Sequence, residues 1–416
     1  MRQRSQKEKT DTSKVTDSKQ PQHAQQPVGR SCCRVMILVV LIMVGVSGVV
    51  VYFLPSLIGP VGHGPDGGPR FTGVYAINNE LQKARKLFEG QIAGPESFEL
   101  GKDGHLYTGL IDGRVVKIDL EKETYTIVTR MGDPPYDKCG QIDMLSVCGR
   151  PLGLHWDNSD NLIVADAYKG LVSINTKTGK KNVLCGPKIS TDVTCTFFNY
   201  PVVISNGSVF FSCLSVNFAE HDLLGESFPF MDYIFGKHND TGMLLHYNPI
   251  TGQTSVVKQL NTPNGVAKSS DEEFLLVSEL SKSRVARFYL KGPKEGQWDM
   301  FISGLPGIVD NITPSRKYGG FWFAVPFVRP SALLDFSSQQ SWIQFIAAKL
   351  QLANVFNHPE FLHNMILLVD EEGRVVRSLH DPTAKVVFRV SEVLEVNDEL
   401  MIGSIFGPSM ARMKLN

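Results

Sequence analysis

The stretch LNTPNGVAKSSDEEFLLVSE, residues 260–279, decides the fold. Asn264 stands between a proline and a glycine, heading a short apolar run. A polar turn, SSDEE, and a second apolar run, FLLVSE, follow. Two β-rich runs joined by small polar residues read as a hairpin. The same unit recurs as PESFELGKDGHLYTG, turning at 102–104, and as PLGLHWDNSDNLIVAD, turning at 158–161. It returns as NYPVVISNGSVFFSC, DNITPSRKYGGFWFAV and SEVLEVNDELMIGS, turning at 206–207, 319–320 and 397–398.

The first strands of these six hairpins begin near Glu96, Leu152, Asn199, Asn264, Asp310 and Glu392, at intervals of 46 to 82 residues. Repeats of about 40–50 residues with about four short strands each are the signature of propeller blades. Third strands follow in several units: GRVVKIDLEKET, KGLVSINTKTGK, GMLLHYNPITGQ and SRVARFYL. Helical periodicity is nearly absent from the body, which disfavours parallel β/α folds. The pattern predicts an all-β, six-bladed β-propeller over 75–416. In the long fifth interval, Trp342, Phe345, Ile346, Leu350 and Ala353 recur at helical spacing. That predicts a helix inserted in the fifth blade region, packed on the propeller face, with membrane or substrate contact as its alternative.

The N-terminus differs in kind. Residues 1–34 are polar and lack large apolar groups, the composition of a disordered tail. An unbroken apolar run follows at 35–54, and no Asp, Glu, Lys or Arg recurs before Asp66. Its length at helical rise spans a hydrocarbon core and exceeds a usual signal-peptide core. Eight basic and three acidic residues precede it, so the positive-inside rule keeps the tail cytosolic. The expected organisation is a cytosolic tail (1–34), a type II signal anchor (35–57), a linker (58–74) and a lumenal or extracellular propeller, at the plasma membrane or endoplasmic reticulum. Zero net charge, from 42 basic and 42 acidic residues, gives no argument for nucleic acid.

Cysteines and sequons fit that topology. Cys32 and Cys33 flank the span on its cytosolic side, as sites for palmitoylation or as inert thiols. The other five cysteines meet an oxidising compartment. Cys139 and Cys148 bracket a short loop and are the foremost pair. Cys185 with Cys195 is a second candidate, which leaves Cys213 unpaired. Sequons stand at Asn206, Asn239 and Asn311.

In a propeller the leading residues of the first strands gather at one channel mouth. Glu96, Asn199, Asn264 and Asp310 should therefore converge. Two carboxylates and two amide carbonyls form a hard-oxygen set suited to Ca²⁺ and unlike the His/Cys sets of zinc. The alternative is a ring of polar residues bonded to one another around water.

GPESFELGKDGHLYTGLIDGRVVKI, CGRPLG, VADAYKG, PNGV, DNITPS with GGFWF, and SLHDP with SEVLEVNDELMIGS resemble the strictosidine synthase-like family. The resemblance runs from about residue 75 to the C-terminus. It implies six blades, a Cys139–Cys148 disulfide, and kinship with paraoxonases, gluconolactonases and other calcium-dependent esterases. It places the family's metal positions on Glu96, Asn199, Asn264 and Asp310, with Asn311 assisting from a sequon that is then buried and unglycosylated. Two departures stand out. Tyr200 and Cys213 occupy positions where relatives carry aspartate, which makes the site less acidic and looser.

The resemblance also bears on chemistry. The alkaloid-forming synthases use a general-base glutamate that corresponds to Glu392; the alternative is a polar residue completing the channel ring. No aromatic pocket for tryptamine is evident, so strictosidine synthesis is not expected. The histidine dyad of paraoxonase-like lactonases falls on Leu152 and near Ala167, with His155 the nearest histidine. No G-x-S-x-G elbow occurs. What remains is Ca²⁺-assisted hydrolysis of small esters, the arylesterase activity attributed to animal relatives, with Glu392 or Asp310 as base. The rival is a non-catalytic binding platform whose calcium is structural.

Overall fold

The computed structural model describes residues 28–54, 68, 71–216, 242–329 and 362–415, with scattered positions between 336 and 349. It divides into two units, Met1–Phe53 and Leu54–Asn416.

The described part of the first unit is one helix, Val28–Phe53. Its segment Cys33–Phe53 is long and apolar enough to cross a membrane, and none of it is buried against protein. A helix apolar on every side suits lipid, which asks that all backbone groups be satisfied within the segment.

Among the described residues, the second unit contains six four-stranded antiparallel sheets. The innermost strands are Phe98–Leu100, Pro151–Trp156, Phe197–Val203, Pro263–Lys268, Ile312–Pro314 and Val390–Val396. The propeller and its blade count agree with the hairpin repeat. Blade six is made from both ends of the unit. Arg85–Leu87 pairs with Met410–Lys414 and supplies its outermost strand. That closure removes the open edge a linear array would leave.

Each blade buries both faces, so the core lies between blades. Leu154, Leu162 and Val164 of blade two pack on Tyr107 and Val115 of blade one. Phe198 and Phe211 of blade three join Ile163 and Leu171 of blade two. Trp322 and Ile366 of blade five meet Val393 and Ile402 of blade six. At about 25 cal/mol per Å² of apolar surface, these interfaces are the main source of stability.

Side chains and glycines join the innermost strands across blade boundaries. Ser97 Oγ donates to Leu152 O at 2.6 Å, Ser278 Oγ to Asp310 O at 2.9 Å, and Ser391 Oγ to Glu96 O. A Cβ on Gly153 would lie 2.6 Å from Tyr200 Cα, and one on Gly265 would lie 2.6 Å from Asn311 Cα. Only glycine permits this approach, which accounts for the Gly after Asn264.

The fifth-blade insertion falls almost wholly outside the described residues. Trp342, Ile343, Ile346 and Lys349 have helical backbone, a short helix where the spacing predicts one. Phe345, Leu350 and Ala353 lie outside the described residues.

One cysteine expectation is overturned. Cys139 pairs with Cys148 as expected. Cys195, however, pairs with Cys213, at a Cα–Cα distance of 5.8 Å, and Cys185 is a buried free thiol. Strand pairing explains the difference. Phe198 is registered against Cys213 in the first two strands of blade three, which brings Cys195 alongside. Cys185 ends the outer strand of blade two.

Candidate functional site at the channel mouth

A β-bulge shapes the site. Pairing slips between Phe198 and Pro201, between Pro263 and Val266, and between Val390 and Val393. Asn199, Asn264 and Glu392 each sit inside such a slip, as does Leu152 between Pro151 and Leu154. Bulges re-aim side chains that regular pleating would alternate, and in blades two, three, four and six they take Leu152, Asn199, Asn264 and Glu392 out of that alternation.

Glu96, Asn199, Asn264 and Asp310 line one cavity of about 40 Å³, and each is at most 5% exposed. The sequence therefore brings together the four residues it singles out. Asn199 Oδ1, Asn264 Oδ1, Asp310 Oδ2 and Asn311 Oδ1 are buried without a hydrogen-bond partner among the described residues. Asn311 lies behind the ring and donates from Nδ2 to Glu96 Oε1 at 2.8 Å. It is 1% exposed, as expected for its sequon.

The rest of the cavity lining is apolar. Phe197, Leu214, Leu280, Ile308, Phe327 and Phe406 are among its apolar walls. Ile308 and Phe327 pair in a two-stranded ribbon outside the blades. The Arg389 guanidinium lies 3.8 Å from the centre of the Phe327 ring. Phe197 opens the innermost strand of blade three and Leu214 lies near the end of its second strand, while the others lie outside the four-stranded blades. No repeat marks these walls, and the sequence reading missed them.

Glu392 sits outside the cavity lining. It is fully buried, its Oε1 accepting Phe98 N–H at 2.6 Å and its Oε2 the Tyr200 hydroxyl at 2.8 Å. Tyr200, noted in the sequence only as a departure from the family, is thus Glu392's partner. Cys213, the other departure, is held in a disulfide.

Three carboxyl groups crowd this part of the channel. Burial raises the Asp310 carboxyl well above the usual range, and Glu96 and Glu392 raise it further. Burial raises Glu392 likewise, with Glu96 adding to it. A hydrogen bond from the Asn264 side chain and, after it, the Arg150 charge pull Asp310 the other way. The Arg150 guanidinium donates to Gly94 O and Ile405 O, each at 2.8 Å.

His155 and Ala167 are not part of the cavity wall; Leu152 is. Burial lowers His155 to about 4, and its Nδ1 lies 3.0 Å from Trp156 O. Glu99, on the innermost strand of blade one, is pushed up to about 8 by burial against the pull of Arg316 and Lys268. Among the described residues no three His, Cys, Asp or Glu side chains are grouped to hold a metal. The channel set differs in kind, because half of it is amide.

Asn206 is exposed in the blade-three turn, its Oδ1 accepting Ser208 N–H at 2.9 Å. Asn239 lies outside the described residues.

Comparison with known proteins settles the family. The strictosidine synthase-like N-terminal family matches residues 73–118, and the strictosidine synthase family matches residues 201–293. Adipocyte plasma membrane-associated protein from Gallus gallus is 36% identical over 353 residues, covering 83% of this chain and 81% of that protein. The chain belongs to the strictosidine synthase-like family. The Homo sapiens adipocyte plasma membrane-associated protein is 35% identical over 353 residues, covering 83% of this chain and 81% of its own. Among solved structures, a gluconolactonase from Xanthomonas campestris superposes with a TM-score of 0.53 at 16% identity, covering 88% of this chain and 99% of its own. That likeness concerns the fold. Members of the family named for the plasma membrane thus share most of this chain, and this one carries an apolar helix ahead of its propeller.

Proposed function

We propose that the chain is a type II membrane-anchored propeller that holds Ca²⁺ at its channel mouth and hydrolyses small apolar esters there. One observation carries the metal. Asn199 Oδ1, Asn264 Oδ1 and Asp310 Oδ2 are buried and unpartnered around one small cavity. Stranding one such group costs about 1–3 kcal/mol, and several at equivalent blade positions call for a shared partner. The crowding of Glu96 and Asp310 asks for positive charge, and a hard-oxygen set of two carboxylates and two amides fits Ca²⁺. Asn311 holds Glu96 Oε1 in place.

A cation bound there supplies charge that polarises a carbonyl and stabilises an oxyanion. The chain's residues do the rest. Phe197, Phe327 and Phe406 receive the apolar part of an ester and exclude water. Asp310 lines the cavity and is the carboxylate placed to take a proton from water. Glu392, buried outside the cavity lining, holds a proton beside Tyr200. The adipocyte plasma membrane-associated proteins support the membrane setting, and the basic tail supports the orientation. In that orientation Asn206 is a glycan site, and the sequon at Asn239 is another.

A second reading has an observation of its own. Glu392 is fully engaged away from the cavity, and Asp310 as a metal ligand is a weak base. The propeller is then a binding platform with a structural cation. Aryl-acetate hydrolysis by the purified chain, with calcium and with chelator, separates the two. Calcium-dependent turnover lost in a folded Asp310→Asn variant supports the esterase. No turnover, with melting lowered by chelator, leaves the platform.

A further inference from the structure

A second cavity, of about 360 Å³, opens where the outer strands of blades five and six meet the segment entering the propeller. Its lining includes Lys83, Arg85, Arg377, Arg412 and Lys414, against two carboxylates, Glu80 and Glu399. The charges come from four separate pieces of chain. Lys83 lies on the 3-10 turn Glu80–Lys83, Arg85 on the closing strand Arg85–Leu87, Arg377 on Val375–Asp381, and Arg412 and Lys414 on Met410–Lys414.

One pairing in this groove needs carboxylates to offset it. Arg85 and Arg412 are directly opposed across the antiparallel ladder. Opposed side chains share a face with Cβ atoms about 4.5–5.5 Å apart, and like charges there repel. The two guanidinium groups are turned to carboxylates. Arg85 reaches Glu123. Arg412 donates from Nε to Glu399 at 2.7 Å and from Nη1 to Leu120 O at 3.1 Å. Lys83 takes Glu80 at 2.6 Å. Arg377 and Lys414 have no ion-pair partner among the described residues. Once Glu123 is counted, five cations face three carboxylates, so the groove keeps two positive charges.

We propose that this groove binds a compact anion carrying two or more phosphate groups, bridging Arg377 and Lys414 across the seam between blades five and six. Its volume lies within the range of small-molecule sites. The guanidinium fork of Arg377, which has no carboxylate partner among the described residues, matches phosphate oxygens two at a time. The site is separate from the channel mouth, so its occupancy leaves ester turnover untouched. The phosphates come either from a soluble polyphosphate or from a lipid headgroup.

Titration calorimetry of the full chain in detergent, with sodium tripolyphosphate and with a water-soluble short-chain inositol lipid carrying two ring phosphates, tests both sources. The expected result is saturable binding in at least one arm at physiological salt. It weakens about tenfold or more in the double variant Arg377→Glu with Lys414→Glu, through loss of two charge-assisted contacts. Arg377→Gln with Lys414→Gln, which adds no negative charge, gives the same direction if the reversal disturbs folding. Binding of the short-chain lipid but not of tripolyphosphate, with the same sensitivity, assigns the phosphates to a lipid headgroup. No saturable binding in either arm, or binding that both double variants leave unchanged, overturns the proposal.

Discussion

The Tyr200 hydroxyl donates to Glu392 Oε2 at 2.8 Å and so joins the innermost strands of blades three and six across the propeller axis. Both residues are buried, and burial holds both protons on, raising the tyrosine and the carboxyl together. Tyr200→Phe removes the donor and leaves a buried carboxyl oxygen short of a partner. The expected cost is about 1–3 kcal/mol, read as a lower denaturant midpoint with unchanged m-value. A variant as stable as the parent would mean that Tyr200 only fills space.

Gly265→Ala tests the close approach of blades four and five. The new Cβ would meet Asn311 Cα at 2.6 Å and Asp310 O at 2.7 Å. Those are backbone atoms, which cannot swing aside as a side-chain tip can. Overpacking of this kind costs about 1–3 kcal/mol, and it displaces Asp310, so calcium affinity falls along with the melting temperature. Unchanged values for both would show that the strands separate freely.

These two positions also show what was legible in the sequence. Hairpins announced themselves through turn residues between alternating runs, and Asn264 stood out because equivalent residues recurred in other blades. The bulge that aims Asn199 and Asn264 at the axis left no local mark, since it arises from pairing between strands. Arg85–Leu87 was invisible for a similar reason. Three residues carry no periodicity, and their partner lies at the opposite end of the chain. Matching Cys195 with Cys185 left Cys213 unpaired, whereas strand register brings Cys213 to Cys195. Of the apolar walls, Ile308 and Phe327 come from a two-stranded ribbon outside the blades and Phe406 from the loop after Glu399–Ser404, with no shared spacing.

Removing the Cys195–Cys213 disulfide by a double Cys→Ser change should cost about 3 kcal/mol, from the entropy of an 18-residue loop. Asn199 lies on the strand this bond anchors, so calcium affinity drops too. Thermal unfolding and calcium titration read the two effects. A loss of stability with full calcium affinity would place the disulfide's role outside the site.

Acid should loosen the segment entering the propeller. His363 Nε2 lies 2.7 Å from His380 Nδ1, and His380 Nε2 lies 2.9 Å from Ser378 Oγ, whose hydroxyl donates to Val74 O. Asn78 accepts from His380 N–H at 3.0 Å. Burial lowers both imidazoles to about 4; Asp381 partly opposes this for His363, and His363 deepens it for His380. Unfolded histidines titrate near 6.5. The unfolded chain therefore binds more protons between about pH 6.5 and 4, and stability is lost as pH falls through that window. The raised carboxyls of Glu99, Asp310 and Glu392 act in the opposite sense over the same range, so the histidine contribution is read as a difference. Between pH 7.5 and 4.5 the parent should lose melting temperature relative to His380→Asn. Parallel pH profiles for the two proteins would assign the acid sensitivity elsewhere.

The central claim is that the unpartnered oxygens at the channel mouth hold calcium. Calcium titration of the purified full chain by calorimetry, after chelation and dialysis, tests it most directly. The account predicts one saturable site per chain, lost in Asp310→Ala and weakened in Asn264→Ala, with both variants still folded. Absence of saturable binding at millimolar calcium, or binding that both substitutions leave intact, would contradict it.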